Sequence, residues 1–172
     1  MALIIGPSNA GKSLLVKRLI EGKKAVSLSY NNLPATLPTT GMGLQRIDLD
    51  KKKDISIREI GGEMAPIWPN YYNDTNSIIF VVDLGNAFQF SSALIQVIEL
   101  LKFVSDKPEK RVLLVLNKSD LDTNGLFFNM MEEDLLKSTN KDSNRIQLTI
   151  VRTSCCDCSN LNVVRKWLLN CK

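Results

Sequence analysis

Short, almost continuously apolar runs alternate along this chain with segments in which apolar residues recur every three or four positions. The runs Ala2–Ile5, Ser77–Asp83 and Arg111–Asn117 have the composition of strands that are buried on both faces of a parallel sheet. The segments between them have the period of a helix with one buried face. This alternation predicts an α/β fold with a mainly parallel sheet.

The helical period marks three segments. The first helix is predicted from Lys12 to about Ile20 and ends at Gly22. Apolar residues at helical spacing define the second, between the two central strands, and the third, at the C-terminus: Leu94, Val97, Ile98, Leu101 and Val104 in one, Leu161, Val164 and Leu168 in the other. A weaker helix is predicted over residues 129–138, and residues 147–151 are predicted to form the last strand.

Two further segments, residues 44–49 and 54–60, alternate apolar and polar positions as half-exposed strands do. The lysines between them, Lys51, Lys52 and Lys53, suit the exposed turn of a hairpin. We therefore predict a six-stranded, mostly parallel sheet with one antiparallel hairpin strand and helices on both faces. Residues 23–43 show weak periodicity and form a loop longer than an ordinary connection, and loops of that length usually carry function.

The composition is that of an ordinary globular domain. The 172 residues are 44% hydrophobic and 23% charged, which predicts one soluble domain spanning residues 1–172. The net charge of +4 comes from scattered basic residues, so we do not expect nucleic-acid binding. We expect a cytoplasmic monomer.

No direct membrane anchor is expected. A strand follows Met1 at once, and no uninterrupted apolar run approaches the roughly 20 residues that span a bilayer. Ala2 stands where a myristoylation site needs glycine, and Cys171 is misplaced for prenylation. Membrane association is expected only through partners.

The chain contains no histidine, which excludes Ser-His and Cys-His nucleophilic mechanisms. Its four cysteines are expected to be reduced thiols. A zinc site formed by Cys155, Cys156 and Cys158 is a less favoured alternative, because the run lacks the paired spacing of zinc ligands.

Residues 6–13 match the phosphate-loop pattern G-x-x-x-x-G-K-[S/T] in full, between a predicted strand and a predicted helix. In such a loop the backbone N–H groups surround the phosphates, here those of Asn9, Ala10 and Gly11. Lys12 would reach the outer phosphates, and the Ser13 hydroxyl would coordinate magnesium. The alternative, a glycine turn that caps an ordinary helix, does not explain the lysine and the serine.

Residues 117–120, Asn-Lys-Ser-Asp, follow a central strand at the sheet edge where open α/β folds bind ligands. Asp120 can accept hydrogen bonds from N1–H and the exocyclic amine of guanine, whereas adenine has no such donor pair. The stem of Lys118 can lie along the base, and Asn117 can connect this loop to the phosphate loop. Ser154 and Cys155 follow the last strand, where a backbone N–H could reach the guanine carbonyl oxygen.

Two segments are candidate sensors of a third phosphate. In residues 38–41, Pro-Thr-Thr-Gly, Thr39 would complete the magnesium shell and be released when the third phosphate is lost. In the second segment, Glu59 would hold a metal-bound water, and the diglycine Gly61-Gly62 would bind the third phosphate, through the N–H of Gly61. Each could alternatively be a simple turn, but their order along the chain favours the nucleotide site.

The order of these motifs resembles that of the Ras-superfamily GTPases, and in particular the ADP-ribosylation-factor-like branch. That branch has N-A-G-K, P-T-x-G and a diglycine followed by W-x-x-Y, which match residues 9–12, 38–41 and 61–71 here. The resemblance implies a phosphate-loop GTPase fold and a switch that binds GTP or GDP with Mg²⁺. It also implies protein effectors that contact residues 38–43 and 61–73, an exchange factor and an activating protein. Met42 and the aromatic residues of these segments, Trp68, Tyr71 and Tyr72, would be displayed to the effector. Packing under the hairpin is the alternative for these aromatic residues, and for Trp68 above all.

Three features depart from that branch. The usual N-terminal amphipathic helix is not expected here, Glu59 replaces an aspartate, and Glu63 replaces the glutamine that orients the attacking water. A carboxylate at position 63 would stand near a phosphate that is already negative, which predicts slow intrinsic hydrolysis. The alternative is that Glu63 points to solvent. A scaffold that holds GTP with negligible turnover therefore remains a second hypothesis, and an ATP-dependent small-molecule kinase is a third and less favoured one.

Overall fold

A six-stranded sheet forms the centre of the fold in a computed structural model that describes residues 1–50, 53–122, 124–126, 129–131, 133, 135 and 147–171. The strands are β1 (Ala2–Ile5), β2 (Met42–Asp50), β3 (Lys53–Ile60), β4 (Ser77–Asp83), β5 (Arg111–Asn117) and β6 (Gln147–Arg152). Their spatial order is β2-β3-β1-β4-β5-β6, with β2 and β3 antiparallel and the other neighbours parallel. The predicted mixed sheet is confirmed.

Three α-helices are bounded in the described part of the chain: α1 (Lys12–Glu21), α2 (Ala87–Val104) and α3 (Leu161–Leu169). In the predicted helix at 129–138, residues 129–131, 133 and 135 are described and are helical, and the remaining residues lie outside the described ones. Lys51 and Lys52 of the predicted hairpin turn also lie outside the described residues. Short 3-10 segments occupy Gly22–Lys24 and Tyr30–Asn32. A longer one covers Gly62–Asp74, where Pro66 and Pro69 lack the N–H groups that a regular α-helix needs.

The helices cover the sheet on both faces, as predicted. One core cluster contains Leu15 and Leu19 of α1 together with Val164 and Leu168 of α3. The other cluster contains the buried face of α2 and the 3-10 segment, with residues that include Phe90, Val97, Leu101, Trp68 and Tyr72. Because the parallel strands end at the same edge, the loops after β1, β4, β5 and β6 meet there.

Helix α2 is long and apolar enough to cross a membrane by length and composition, with 18 residues and a mean hydropathy of 1.4. Polar residues interrupt the helix, so its sequence contains no long uninterrupted apolar run. Its buried side chains pack into the core on one face of the sheet. This burial is what a sheet-covering helix requires.

Candidate functional site

The phosphate loop has the geometry that its two glycines allow. Gly6 has a φ of 142°, and a Cβ at this position would lie 2.2 Å from the carbonyl oxygen of Val81. Gly11 has a φ of 89° and is the N-cap of α1, and a Cβ there would lie 2.4 Å from the side-chain nitrogen of Asn117. A larger residue at either position would push the loop away from its neighbours. The loop is therefore held close to β4 and to the end of β5.

The ammonium group of Lys12 lies inside this loop. It donates hydrogen bonds to the carbonyl oxygens of Gly6 and Pro7, each at 2.8 Å. Burial lowers the pKa of Lys12 to about 8, against an opposing effect of the Glu59 carboxylate. The lysine is therefore mostly charged at neutral pH and offers a poorly solvated cation, which an anion in the pocket would stabilise.

Three oxygen atoms from different segments converge beside the loop. The Ser13 hydroxyl donates to Glu59 Oε1 at 2.5 Å, and the Thr39 hydroxyl donates to the same oxygen at 2.9 Å. The two hydroxyl oxygens lie 3.1 Å apart. An all-oxygen set of this kind fits Mg²⁺, so Ser13, Thr39 and Glu59 would hold the ion. When bound, magnesium would neutralise charge on the outer phosphates.

The diglycine lies beside the phosphate loop, and its two residues make different contacts. The amide of Gly61 donates to the carbonyl oxygen of Gly41 at 2.9 Å. The prediction that this amide binds a third phosphate is therefore wrong, because backbone pairing next to the hairpin already uses it. Gly62 instead lies against the phosphate loop, where a Cβ would come within 2.2 Å of the Ser8 nitrogen.

The loop after β5 is connected to its neighbours through side chains. Asn117 Nδ2 donates to the carbonyl oxygen of Ala10 at 2.9 Å, which confirms the expected connection to the phosphate loop. Its Oδ1 accepts hydrogen bonds from Thr153 Oγ1 at 3.3 Å and from Cys155 Sγ at 3.5 Å. The ammonium of Lys118 pairs with Asp83 at 2.6 Å. Asp83 is a site residue that sequence reasoning missed, although it ends β4 beside Asn117 in the sheet.

The loop after β6 separates the two residues that were predicted together. Ser154 is fully buried, and its hydroxyl accepts hydrogen bonds from the N–H groups of Cys156 and Asp157 at 3.1 and 3.4 Å. Its side chain thus shapes the turn. Cys155 borders the pocket, and burial raises the pKa of its thiol to about 12. This thiol is therefore neutral at physiological pH.

Arg18 supports this loop from α1, and sequence reasoning missed it. The side chain is 1% exposed, its Nε donates to the carbonyl oxygen of Cys155 at 3.0 Å, and a terminal nitrogen contacts Cys158 Sγ at 2.8 Å. An arginine on a helix carries no local signal of burial. Within the described residues, no group of three or more Cys, Asp or Glu side chains is arranged to hold a metal ion, so the alternative zinc site finds no support.

These elements enclose a pocket of about 320 Å³. It brings together most of the predicted residues: Asn9, Gly11, Lys12, Ser13, Thr39, Glu59, Gly62, Glu63, Lys118, Asp120 and Cys155. Ala10, Asn117 and Ser154 are buried beside it. Leu33, Thr36, Leu37 and Cys156 also line it and were not predicted individually, although the first three belong to the long loop that was expected to carry function.

The aromatic residues expected on the effector surface are mostly inside the molecule. Trp68 is 2% exposed, packs edge-to-face on Phe80 and donates to the carbonyl oxygen of Gly61 at 3.2 Å. Tyr72 is also buried, against Phe103. The prediction that these two residues are displayed is therefore wrong, because the 3-10 segment turns them into the core. Tyr71 is partly buried, and Met42 is exposed.

Comparisons with known proteins agree with this fold. The ADP-ribosylation factor family matches residues 1–171. Human ADP-ribosylation factor-like protein 16 is 38% identical over 122 residues, which cover 70% of this chain and 60% of that protein. ADP-ribosylation factor-like protein 3 of Saccharomyces cerevisiae is 30% identical over 122 residues, covering 69% of this chain and 59% of the relative. These alignments thus span less than two thirds of either relative.

A solved structure has the same architecture. The Arl6 BBS3 small GTPase of Trypanosoma brucei, with the bound nucleotide analogue GppNp, superimposes with a TM-score of 0.73 at 15% sequence identity. The match covers 98% of this chain and 95% of that one, which confirms the predicted fold. With the family match over residues 1–171, we conclude that the chain belongs to the ADP-ribosylation factor family, as an Arf-like small GTPase.

Proposed function

We propose that this protein is a guanine-nucleotide-binding switch, which holds GTP or GDP with Mg²⁺ in the pocket described above. The observation that carries the proposal is the convergence of two sets of residues on one pocket of about 320 Å³. At one end are Lys12, Ser13 and Gly62, which suit phosphates and a metal ion. At the other are Lys118 and Asp120, which suit a guanine base.

One end of the pocket binds the phosphates, and the other binds the base. The N-terminus of α1 and the surrounding N–H groups favour negative charge, and buried Lys12 adds a cation. Asp120 supplies acceptors for the N1–H and amine donors of guanine. The ion pair with Asp83 holds Lys118, whose stem can then lie along the base. A phosphate loop alone does not select the base, so the guanine assignment depends on this second end.

Switching would act through Thr39 and the segments on either side of the pocket. The Thr39 hydroxyl oxygen lies 3.1 Å from the Ser13 hydroxyl oxygen, and Gly61 is hydrogen-bonded to Gly41 in the same region. Loss of the third phosphate would release Thr39 from the metal ion. Residues 38–43 and 61–73 would then lose their ordered conformation together. Effectors would bind the surface formed by these two segments, in which Met42 is 54% exposed. The proposal includes an exchange factor, an activating protein, a cytoplasmic location and membrane contact through partners.

Hydrolysis is proposed to be slow. Glu63 is exposed on the wall of the pocket, where a carboxylate cannot donate the hydrogen bond that an amide would give. The same residue favours the second candidate, a scaffold that holds GTP with negligible turnover. Effector binding to the GDP form and to a form with a non-hydrolysable GTP analogue separates the two, because equal affinities exclude a switch.

The nucleotide itself is tested by denaturing the purified protein and separating what it releases by chromatography. Guanine nucleotide is expected, whereas adenine nucleotide, or none in the presence of Mg²⁺, would overturn the proposal. Asp120→Asn should weaken GTP binding relative to xanthosine triphosphate, which presents an acceptor in place of the amine. Asp106→Asn, on an exposed aspartate, is the matched control and should leave the ratio unchanged.

A further inference from the structure

One carboxylate oxygen of Glu59 lies within hydrogen-bonding distance of both hydroxyl groups of the metal site. Its Oε1 lies 2.5 Å from Ser13 Oγ and 2.9 Å from Thr39 Oγ1, and these two hydroxyl oxygens are 3.1 Å apart. The three atoms thus form a compact triangle. We propose that Glu59 binds the magnesium ion directly, beside Ser13 and Thr39, and not through a water molecule. This inference rests on the proposed binding of a guanine nucleotide with Mg²⁺.

The size of the triangle matches one face of a magnesium octahedron. Mg²⁺ binds oxygens at 2.0–2.1 Å in nearly ideal octahedral geometry, so neighbouring ligands lie about 2.9 Å apart. The three separations of 2.5, 2.9 and 3.1 Å surround that value. A single ion can therefore contact all three oxygens without a rearrangement of the helix, loop and strand that carry them.

The burial of Glu59 gives an independent reason. The residue is 3% exposed, and among the described residues it forms no ion pair within 4.0 Å. The nearby Lys12 donates instead to the carbonyl oxygens of Gly6 and Pro7. A buried carboxylate is costly unless it is paired or coordinates a metal. Two hydroxyl donors satisfy part of its hydrogen-bonding capacity, and a bound cation would balance its charge.

The length of the side chain decides whether the oxygen reaches the ion. The backbone of Glu59 is fixed in β3, where it pairs with Ile4 on one side and Gly43 on the other. An aspartate on the same backbone would end one methylene group earlier and would leave room for a water between carboxylate and metal. Glutamate at this position thus replaces a water ligand by a charged protein ligand. We expect it to increase the affinity for the metal.

The water count of the bound ion tests this directly. Mn²⁺ would replace Mg²⁺ in the complex with a non-hydrolysable GTP analogue, and the bound waters would be counted by electron paramagnetic resonance in ¹⁷O-enriched water. With six positions, of which the two outer phosphates take two, direct binding by Ser13, Thr39 and Glu59 leaves a single water. Two waters in the wild-type protein would overturn the proposal, and this absolute count needs no variant.

Variants give the second comparison. Glu59→Asp should bind one water more than wild type and should need about tenfold more free Mg²⁺ to retain nucleotide, whereas Glu109→Asp on an exposed glutamate should match wild type. An unchanged water count in a folded Glu59→Asp protein would refute direct binding. Chromatography of the nucleotide in each sample separates the outcomes. Bound guanine nucleotide with the wrong water count rejects only the direct binding of the metal by Glu59. The absence of bound guanine nucleotide rejects the proposed function as well.

Discussion

The side-chain amide of Asn117 donates a hydrogen bond to the carbonyl oxygen of Ala10 at 2.9 Å and so joins the end of β5 to the phosphate loop. The other end of the same side chain accepts from the hydroxyl of Thr153, which follows β6. Gly11 lies so close to this amide that it has no room for a Cβ. One buried side chain thus connects the loops that follow three different strands, and it sets the distance between the phosphate and base ends of the pocket.

Replacing Asn117 by alanine should weaken both the fold and the site. The change removes the donor to Ala10 and the acceptor of Thr153, and it leaves buried backbone and hydroxyl groups without these partners. We expect the free energy of unfolding to fall by about 2–3 kcal/mol and GDP to dissociate at least about tenfold faster. Denaturant titration and release of a fluorescent GDP analogue measure the two effects. Asn73→Ala, at an exposed position, should change neither, and wild-type release from Asn117→Ala would contradict the role given to this side chain.

Gly62→Ala should discriminate against the third phosphate. A Cβ at Gly62 would come within 2.2 Å of the Ser8 nitrogen, so the segment must withdraw from the phosphate loop. If this wall contacts the third phosphate, affinity for a GTP analogue falls on the order of tenfold, about 1.4 kcal/mol, while GDP affinity changes less. Gly43→Ala is the control, because a Cβ there meets nothing within 4 Å. Equal losses of affinity for the GTP analogue and for GDP would show that Gly62 does not contact the third phosphate.

The features that sequence predicted well depend on local patterns. A short apolar run predicts a strand such as Ala2–Ile5, and a fixed spacing of glycine, lysine and serine predicts the phosphate loop. The errors lie where the backbone departs from a regular period. Trp68 and Tyr72 are buried by a 3-10 segment with two prolines, whose side-chain directions follow neither a helix nor a strand. The distinction between Gly61 and Gly62 depends on the register of β3 with the neighbouring hairpin strand, and no local pattern reports that register.

Nucleotide binding should take up protons above pH 8. Burial lowers the pKa of Lys12 to about 8, so without nucleotide the protein loses this charge as the pH rises through that value. Bound phosphates stabilise the charged form and keep the proton on Lys12. We therefore expect GDP affinity to fall about fourfold between pH 7 and pH 8.5, with uptake of about 0.75 protons per GDP at pH 8.5. Calorimetry in buffers of different ionisation enthalpy measures the uptake, and a value near zero would show that Lys12 keeps its proton in the empty site.

Alkylation should distinguish two adjacent thiols. Cys155 is 3% exposed and burial raises its pKa to about 12, so iodoacetamide should leave it unmodified in the folded protein at pH 8. Cys156 is partly exposed and lines the pocket, so it should react, and GDP with Mg²⁺ should slow that reaction. Fragmentation of the peptide by mass spectrometry assigns the modified residue. Labelling of Cys155 in the native state, or reaction of Cys156 at the same rate with and without GDP, would contradict this arrangement.

Glu63→Gln should accelerate GTP hydrolysis. Glu63 is exposed on the pocket wall, where its carboxylate repels the negative third phosphate and lacks the donor that an amide provides. Glutamine keeps the size, removes the charge and restores that donor, so we expect single-turnover hydrolysis to be about tenfold faster or more, with little change in GTP affinity. Glu109→Gln is a matched control on an exposed glutamate and should hydrolyse GTP at the wild-type rate. A wild-type rate equal to or above that of Glu63→Gln would mean that the carboxylate points to solvent and that turnover is limited by another group.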